Sequence, residues 1–190
     1  MNLARYWTGC LRALGRSDDW ESCFDLSKSG FRQSFLALAL SLPFYYVCAA
    51  AVQKHRVSLP GANPESAIPA AAFIVILGLY AGTFVLSAYI LCLVFDKQPA
   101  FRAWVIIRHW AMFFAALLAA ALLGLFLAGV LPFVIAINIV LGVYLITLAI
   151  DIRLAQRIAG FEWGAAVLTG CIITAMGFTV LLMSIAQFAA

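Results

Sequence analysis

Five stretches of the chain carry apolar residues almost without interruption, and short polar segments separate them. They fall near residues 35–52, 68–95, 110–130, 133–150 and 164–186. Each approaches or exceeds the ~20 apolar residues needed to cross ~30 Å of hydrocarbon. The apolar positions are continuous, not alternating, and rich in Leu, Ala and Ile, which excludes the pattern of a membrane β-barrel. In lipid, every backbone N–H and C=O must find its partner inside the segment, so such runs are helices. The pattern predicts an all-α polytopic transmembrane bundle of about five spans over residues 33–190. A polar N-terminal segment, 1–32, precedes it.

The boundaries have local causes. Asn63-Pro64-Glu65-Ser66 offers overlapping helix starts with Asn63 or Ser66 as cap, and Pro69 then falls in the first turns of the second span. Trp104 to Ile150 is 47 residues, about 70 Å as one helix. No bilayer is that thick, so the chain must turn, and Gly129–Pro132 predicts a tight helical hairpin there. Pro43 removes a backbone donor inside the first span and predicts a kink.

Within the N-terminal segment, Leu3, Trp7, Cys10, Leu11 and Leu14 recur at helical spacing, with Arg5, Arg12 and Arg16 mostly off that stripe. Gly15 follows as a stop. This reads as an amphipathic interfacial helix with Tyr6 and Trp7 at headgroup depth. The acidic run from Asp18 to Asp25 suggests a solvated turn, or the cap of a second short helix near Trp20–Leu26. Ser27 or Ser29 caps the first span.

Charge changes the picture by giving direction. Ten Lys and Arg residues lie in segments that five spans place on one side, against two on the other. The positive-inside rule puts the N-terminus in the cytoplasm and the C-terminus outside. The net charge of +4 is dispersed among apolar blocks, which argues against a nucleic-acid partner. Only 11% of residues are charged and 66% are hydrophobic, against roughly 25% and 45–50% in soluble domains. Residues 1–32 are too long and too acidic for an ordinary leader, so the first span is expected to be retained.

Phe24-Asp25-Leu26-Ser27, then Gly30-Phe31, then Ser34-Phe35 entering a Leu/Ala-rich span, resembles small uncharacterised inner-membrane proteins of alphaproteobacteria. The resemblance covers about a dozen residues and the overall layout. It implies a bacterial inner membrane and carries no activity with it. The five-span layout is also similar to Yip1-type proteins, without any Yip1 sequence motif.

Candidate chemistry is sparse. An ionisable residue deep in a span would be a functional pointer, but Asp96 and Asp151 are expected at span ends and Glu65 in an outer loop. His55 and His109 are expected at opposite faces, each snorkelling, too far apart for one metal or haem. Five cysteines without CxxC spacing argue against a disulfide framework or zinc site. GxSxG, HExxH and P-loop patterns are missing. No cofactor is expected, and the protein reads as non-enzymatic.

Packing chemistry is richer. Gly78 and Gly82 form a GxxxG in the second span, the type of surface that lets helices approach closely. Gly124, Gly164, Gly170 and Gly177 add small surfaces. Asn138 is the most polar residue in mid-span and is expected to hydrogen-bond a neighbouring helix. Arg153 and Arg157, four apart, share a face that could hold lipid phosphates or a partner's acidic patch. The leading expectation is a non-catalytic scaffold or accessory subunit that packs laterally in the lipid bilayer, in a membrane-protein complex or homo-oligomer. One alternative is a transporter or channel component with a polar path around Asn138, Tyr144, Thr147 and Thr174. The other is a lipid-interacting protein using Trp7, Arg12 and the Arg153–Arg157 face.

Overall fold

The computed structural model describes residues 2–15, 17, 19–60 and 70–189. Asn63, Pro64, Glu65, Ser66 and Pro69 therefore lie outside the described residues, as do Arg16 and Asp18. The described residues form six α-helices and no strand: α1 (Leu3–Leu14), α2 (Lys28–Val57), α3 (Ala70–Val94), α4 (Phe101–Leu127), α5 (Phe133–Arg157) and α6 (Trp163–Ala189). Short 3₁₀ turns span Asp19–Cys23 and Gln98–Ala100. α2 to α6 each contain a stretch long and apolar enough to cross a membrane. The chain is a five-span helical bundle.

The helices outrun their apolar stretches. α2 begins at Lys28 and continues through Pro43, α4 begins at Phe101, and α5 continues to Arg157. Once nucleated, a helix gains one backbone bond per added residue, so it continues into polar sequence until something stops it. Ser27 starts α2, its Oγ accepting from the N–H groups of Ser29 and Gly30. The turn between α4 and α5 falls where the sequence placed it. Gly129 has φ +77, and the bonds Gly129 N–H to Phe126 and Val130 N–H to Leu125 make a Schellman ending. α3 ends the same way without glycine: Asp96 takes φ 54, and Lys97 N–H closes onto the Cys92 carbonyl at 2.7 Å. Short polar side chains tolerate that conformation better than most.

α4 is the central helix. α2 packs along one side of it and α5 returns antiparallel along another, while α3 packs mainly on α6, and α6 on α5. α1 crosses α4 and α5. All ten residues from Trp104 to Phe113 are buried, which encloses nearly three turns of α4 on every side. Leu86, Leu118, Leu145 and Leu182 point outward and are half or more exposed, as lipid-facing side chains are. α2 and α3, consecutive in the chain, hardly touch.

Close helix approach occurs on α6. A Cβ added at Gly170 would fall 2.5 Å from Ile152 Cγ1, and one at Gly177 would fall 3.0 Å from the Tyr80 ring. Gly78 and Gly82 meet nothing within 4 Å in their own chain. The GxxxG spacing thus marks an outward face of α3 and no contact inside the bundle.

Candidate functional site

The buried first half of α4 carries charge. Arg108 donates from Nε to Asp151 Oδ1 at 2.6 Å and from a terminal nitrogen to Oδ2 at 3.1 Å. The two side chains are only 5% and 2% exposed. The guanidinium also lies over the Phe84 ring, 3.8 Å from its centroid, with Tyr80 of α3 beside it in the same wall. Such a pair survives burial only because its geometry is bidentate and further contacts satisfy the remaining protons. Asp151, expected at a span end, is buried there by its own chain. It lies inside α5, enclosed by protein. Hydropathy drew span edges at residues 110 and 150 because charges lower any apolar average, and so excluded the two residues that matter most.

A signal for the pair does exist in the sequence. Arg108 lies 21 residues before Gly129, and Asp151 lies 19 residues after Pro132. In an antiparallel hairpin, positions equidistant from the turn meet at the same depth, here ~30 Å along each helix.

His109 is buried rather than snorkelling, at 1% exposure. The Ser34 hydroxyl donates to the Phe31 carbonyl at 2.8 Å, so its oxygen accepts from His109 Nδ1–H at 3.0 Å. That tautomer leaves Nε2 as a bare acceptor, and no partner meets it. Phe35 and Phe84 stand edge-on to the imidazole, with centroids at 4.8 and 6.3 Å. His55, by contrast, stacks on Phe133 at 3.8 Å near the other end of the bundle. Trp104 Nε1 is likewise buried without a partner, its ring edge-on to Phe84 and Phe161.

Beside this cluster the weak contact between α2 and α3 leaves a cavity of about 190 Å³. Its polar lining is Arg108, His109, Tyr45 and Tyr80; the rest is apolar, including Leu38, Leu42, Ile74, Leu77 and Met112. Ala39, Ile74 and Gly78 line it while being exposed, so it opens on the flank of the bundle, where lipid lies. A dry apolar cavity of ~150 Å³ holds a benzene ring. This one has room for a chain segment and has polar groups at its wall. Gly78, which meets no helix of its own chain, helps shape this opening.

The N-terminal residues gather elsewhere. Arg153 donates to the carbonyls of Leu14 (3.1 Å) and Gly15 (3.2 Å), and Arg157 to those of Gly15 and Ser17. The end of α1 leaves carbonyls without helical partners and carries partial negative charge. Two guanidiniums on one face of α5 fill both needs. The shared face was legible, but its ligand is this chain's own backbone. Arg12 pairs with Asp19 at 2.6 Å, and the Ser17 hydroxyl, then Arg12, hold that carboxyl below its usual range.

α1 does not present one stripe. Gly9, Cys10 and Ala13 are buried against the bundle, and Tyr6 stacks on Trp110 at 4.0 Å. Leu3, Trp7 and Leu11 stay exposed, with Trp7 edge-on to Phe114 at 4.9 Å. Trp7 and Leu11 edge an apolar cavity of about 600 Å³ against α4 and α5.

Asn138 donates to the Val134 carbonyl of its own helix at 2.8 Å and is exposed, so among the described residues it bridges no neighbouring helix. The polar path expected around it loses its centre. Tyr144, named in that path, has a side chain outside the described residues. Thr83 and Thr179 bond their own helix backbones, as short hydroxyl side chains in helices do.

These features define a multi-pass helical membrane protein with a polar cluster at a laterally open cavity. No family model, curated protein or solved structure matches the chain.

Proposed function

We propose that this protein binds a lipid-like amphiphile within the bilayer, at the cavity between α2, α3 and α4, and acts as a binding protein without catalysing a reaction. One observation carries the reading: buried polar groups meet an otherwise apolar cavity that opens sideways toward lipid. An ionisable group inside a membrane bundle is costly and is kept for function by default. Here it stands where an amphiphile could place its head on the polar wall and its chain along Leu42, Ile74 and Leu77. The test is photo-crosslinking in nanodiscs with a diazirine-bearing alkyl chain. Labelling concentrated on Leu42, Ile74 and Leu77, and lost in Gly78→Trp, is expected. Even labelling over all outward faces would defeat the proposal.

A second reading, a scaffold or accessory subunit that packs against membrane partners, draws on Gly82, which is exposed and has nothing of its own chain within 4 Å. Gly82 does not line the cavity, so Gly82→Leu separates the two readings. Loss of the native-size complex with the labelling retained would favour lateral assembly. The membrane proposed is the bacterial inner membrane, with a cytoplasmic N-terminus and a periplasmic C-terminus. Ten basic residues against two support that orientation. A C-terminal alkaline phosphatase fusion should be active, and an inactive fusion would reverse it.

A further inference from the structure

From the same cavity we infer that Asp151 sets the class of ligand: it neutralises Arg108, so the site takes an amphiphile with an uncharged polar head, such as a hydroxyl or carbonyl, and rejects anionic ones. The inference rests on the binding reading above and goes beyond it, because an arginine lining a membrane cavity would ordinarily suggest a carboxylate or phosphate ligand.

Geometry argues against that suggestion. Both oxygens of Asp151 are engaged by the guanidinium, at 2.6 and 3.1 Å. An anionic head would have to share this cation with a carboxylate already seated on it. The alternative is to displace Asp151, leaving a buried carboxylate unpaired, and either route places two negative charges around one positive charge in a water-poor site. A cationic head would instead face the guanidinium.

Among the described residues no other charged group changes this balance: those lining the cavity include no further Asp, Glu, Lys or Arg. His109 gives its Nδ1 hydrogen to Ser34, and its Nε2 meets no partner that would hold a second proton. Tyr45 and Tyr80 also line the cavity, and a phenol hydroxyl both donates and accepts. The Arg108–Asp151 pair sums to zero charge, so the polar wall offers hydrogen bonds without net charge. An alcohol, a glycerol hydroxyl or a ketone oxygen matches that wall. The opening toward lipid on α2 and α3 supplies the route, since such a molecule partitions into the bilayer before it meets the protein.

The experiment is a head-group series on one chain. Diazirine-bearing tetradecanol, tetradecanoate and tetradecyl phosphate are photo-crosslinked to the full-length protein in phosphatidylcholine nanodiscs, and saturable labelling of Leu42, Ile74 and Leu77 is read by mass spectrometry. The alcohol should half-saturate at about tenfold or more lower concentration than either anion. Asp151→Asn should reverse the order by freeing Arg108 for the carboxylate. Should that variant fail to fold, the wild-type series alone decides. Anions labelling as well as the alcohol, at sites blocked by Gly78→Trp or Leu42→Trp, would overturn the inference and leave the cavity reading standing. Labelling that neither variant blocks would remove both.

Discussion

Arg108 and Asp151, 43 residues apart in sequence, hold each other through two hydrogen bonds at the buried end of the α4–α5 hairpin. The pair costs desolvation and recovers it only while both partners are present. Removing one partner, in Arg108→Leu or Asp151→Asn, should destabilise the protein by about 3–5 kcal/mol. The double variant Arg108→Met/Asp151→Leu should recover most of that loss. Thermal unfolding in detergent, followed by tryptophan fluorescence, checks both. A double variant no better than the worse single would show that the pair is more than a mutually compensated charge.

The α1 clamp makes a different prediction, read at Cys10. That thiol is buried and lies 3.9 Å from the Ile107 carbonyl. Burial, with Cys23 adding to it, pushes its pKa from 9.0 up to about 12. Maleimide should label it slowly at pH 8 in the wild type. Arg153→Ala/Arg157→Ala frees the end of α1, and Cys10 labelling should accelerate while α2 to α6 keep their thermal stability. The unfolded thiol ionises near pH 9.0 and the folded one only near 12. This group's contribution is therefore constant below about pH 9 and erodes as pH rises from there toward 12. An alkaline series of unfolding midpoints, wild type against Cys10→Ala, isolates it.

Two glycines in adjacent spans should respond oppositely. Gly170→Val drives a side chain into Ile152, including its backbone nitrogen 3.1 Å from the nearest Cβ position, and should cost about 1–3 kcal/mol. Gly82→Leu adds a side chain where nothing of the chain stands and should leave stability unchanged within about 0.5 kcal/mol. Unfolding midpoints of the two purified variants give the comparison.

His109 offers a fourth test. Its Nε2 is buried and unpartnered, which carries a desolvation cost of roughly 1–3 kcal/mol. His109→Leu removes that cost together with one hydrogen bond to Ser34, whose hydroxyl keeps the Phe31 carbonyl. Stability should hold or rise by about 1 kcal/mol. A large loss would mean that the imidazole is a structural keystone of α2 and α4.

Which features the sequence disclosed follows from the range of the physics behind each. The five spans and the turn at Gly129 are set by local properties: hydropathy over one helix length, and one residue that reaches positive φ easily. Ser27 as a cap is local too. The roles of Arg153 and Arg157 depend on where α1 comes to rest, a tertiary event that spacing on α5 cannot encode. Asn138 misled because polarity alone does not tell a hydroxyl or amide that turns back on its own helix from one that reaches across. Gly78 and Gly82 are a related case: small residues permit close approach on any face and do not choose it, and here that face points out of the bundle. Arg108, His109 and Asp151 were hidden by averaging, because each lies just beyond a stretch defined by the absence of such residues.

α2 and α3 leave the ribosome one after the other yet find their main partners later: α2 in α4, α3 in α6. Until α6 is inserted, α3 has little to pack against except the start of α4, and the flank that holds the cavity is incomplete. α6, made after α3, therefore closes the fold around it. A chain interrupted after α5 leaves α3 without its main neighbour, its α6-facing side open to lipid.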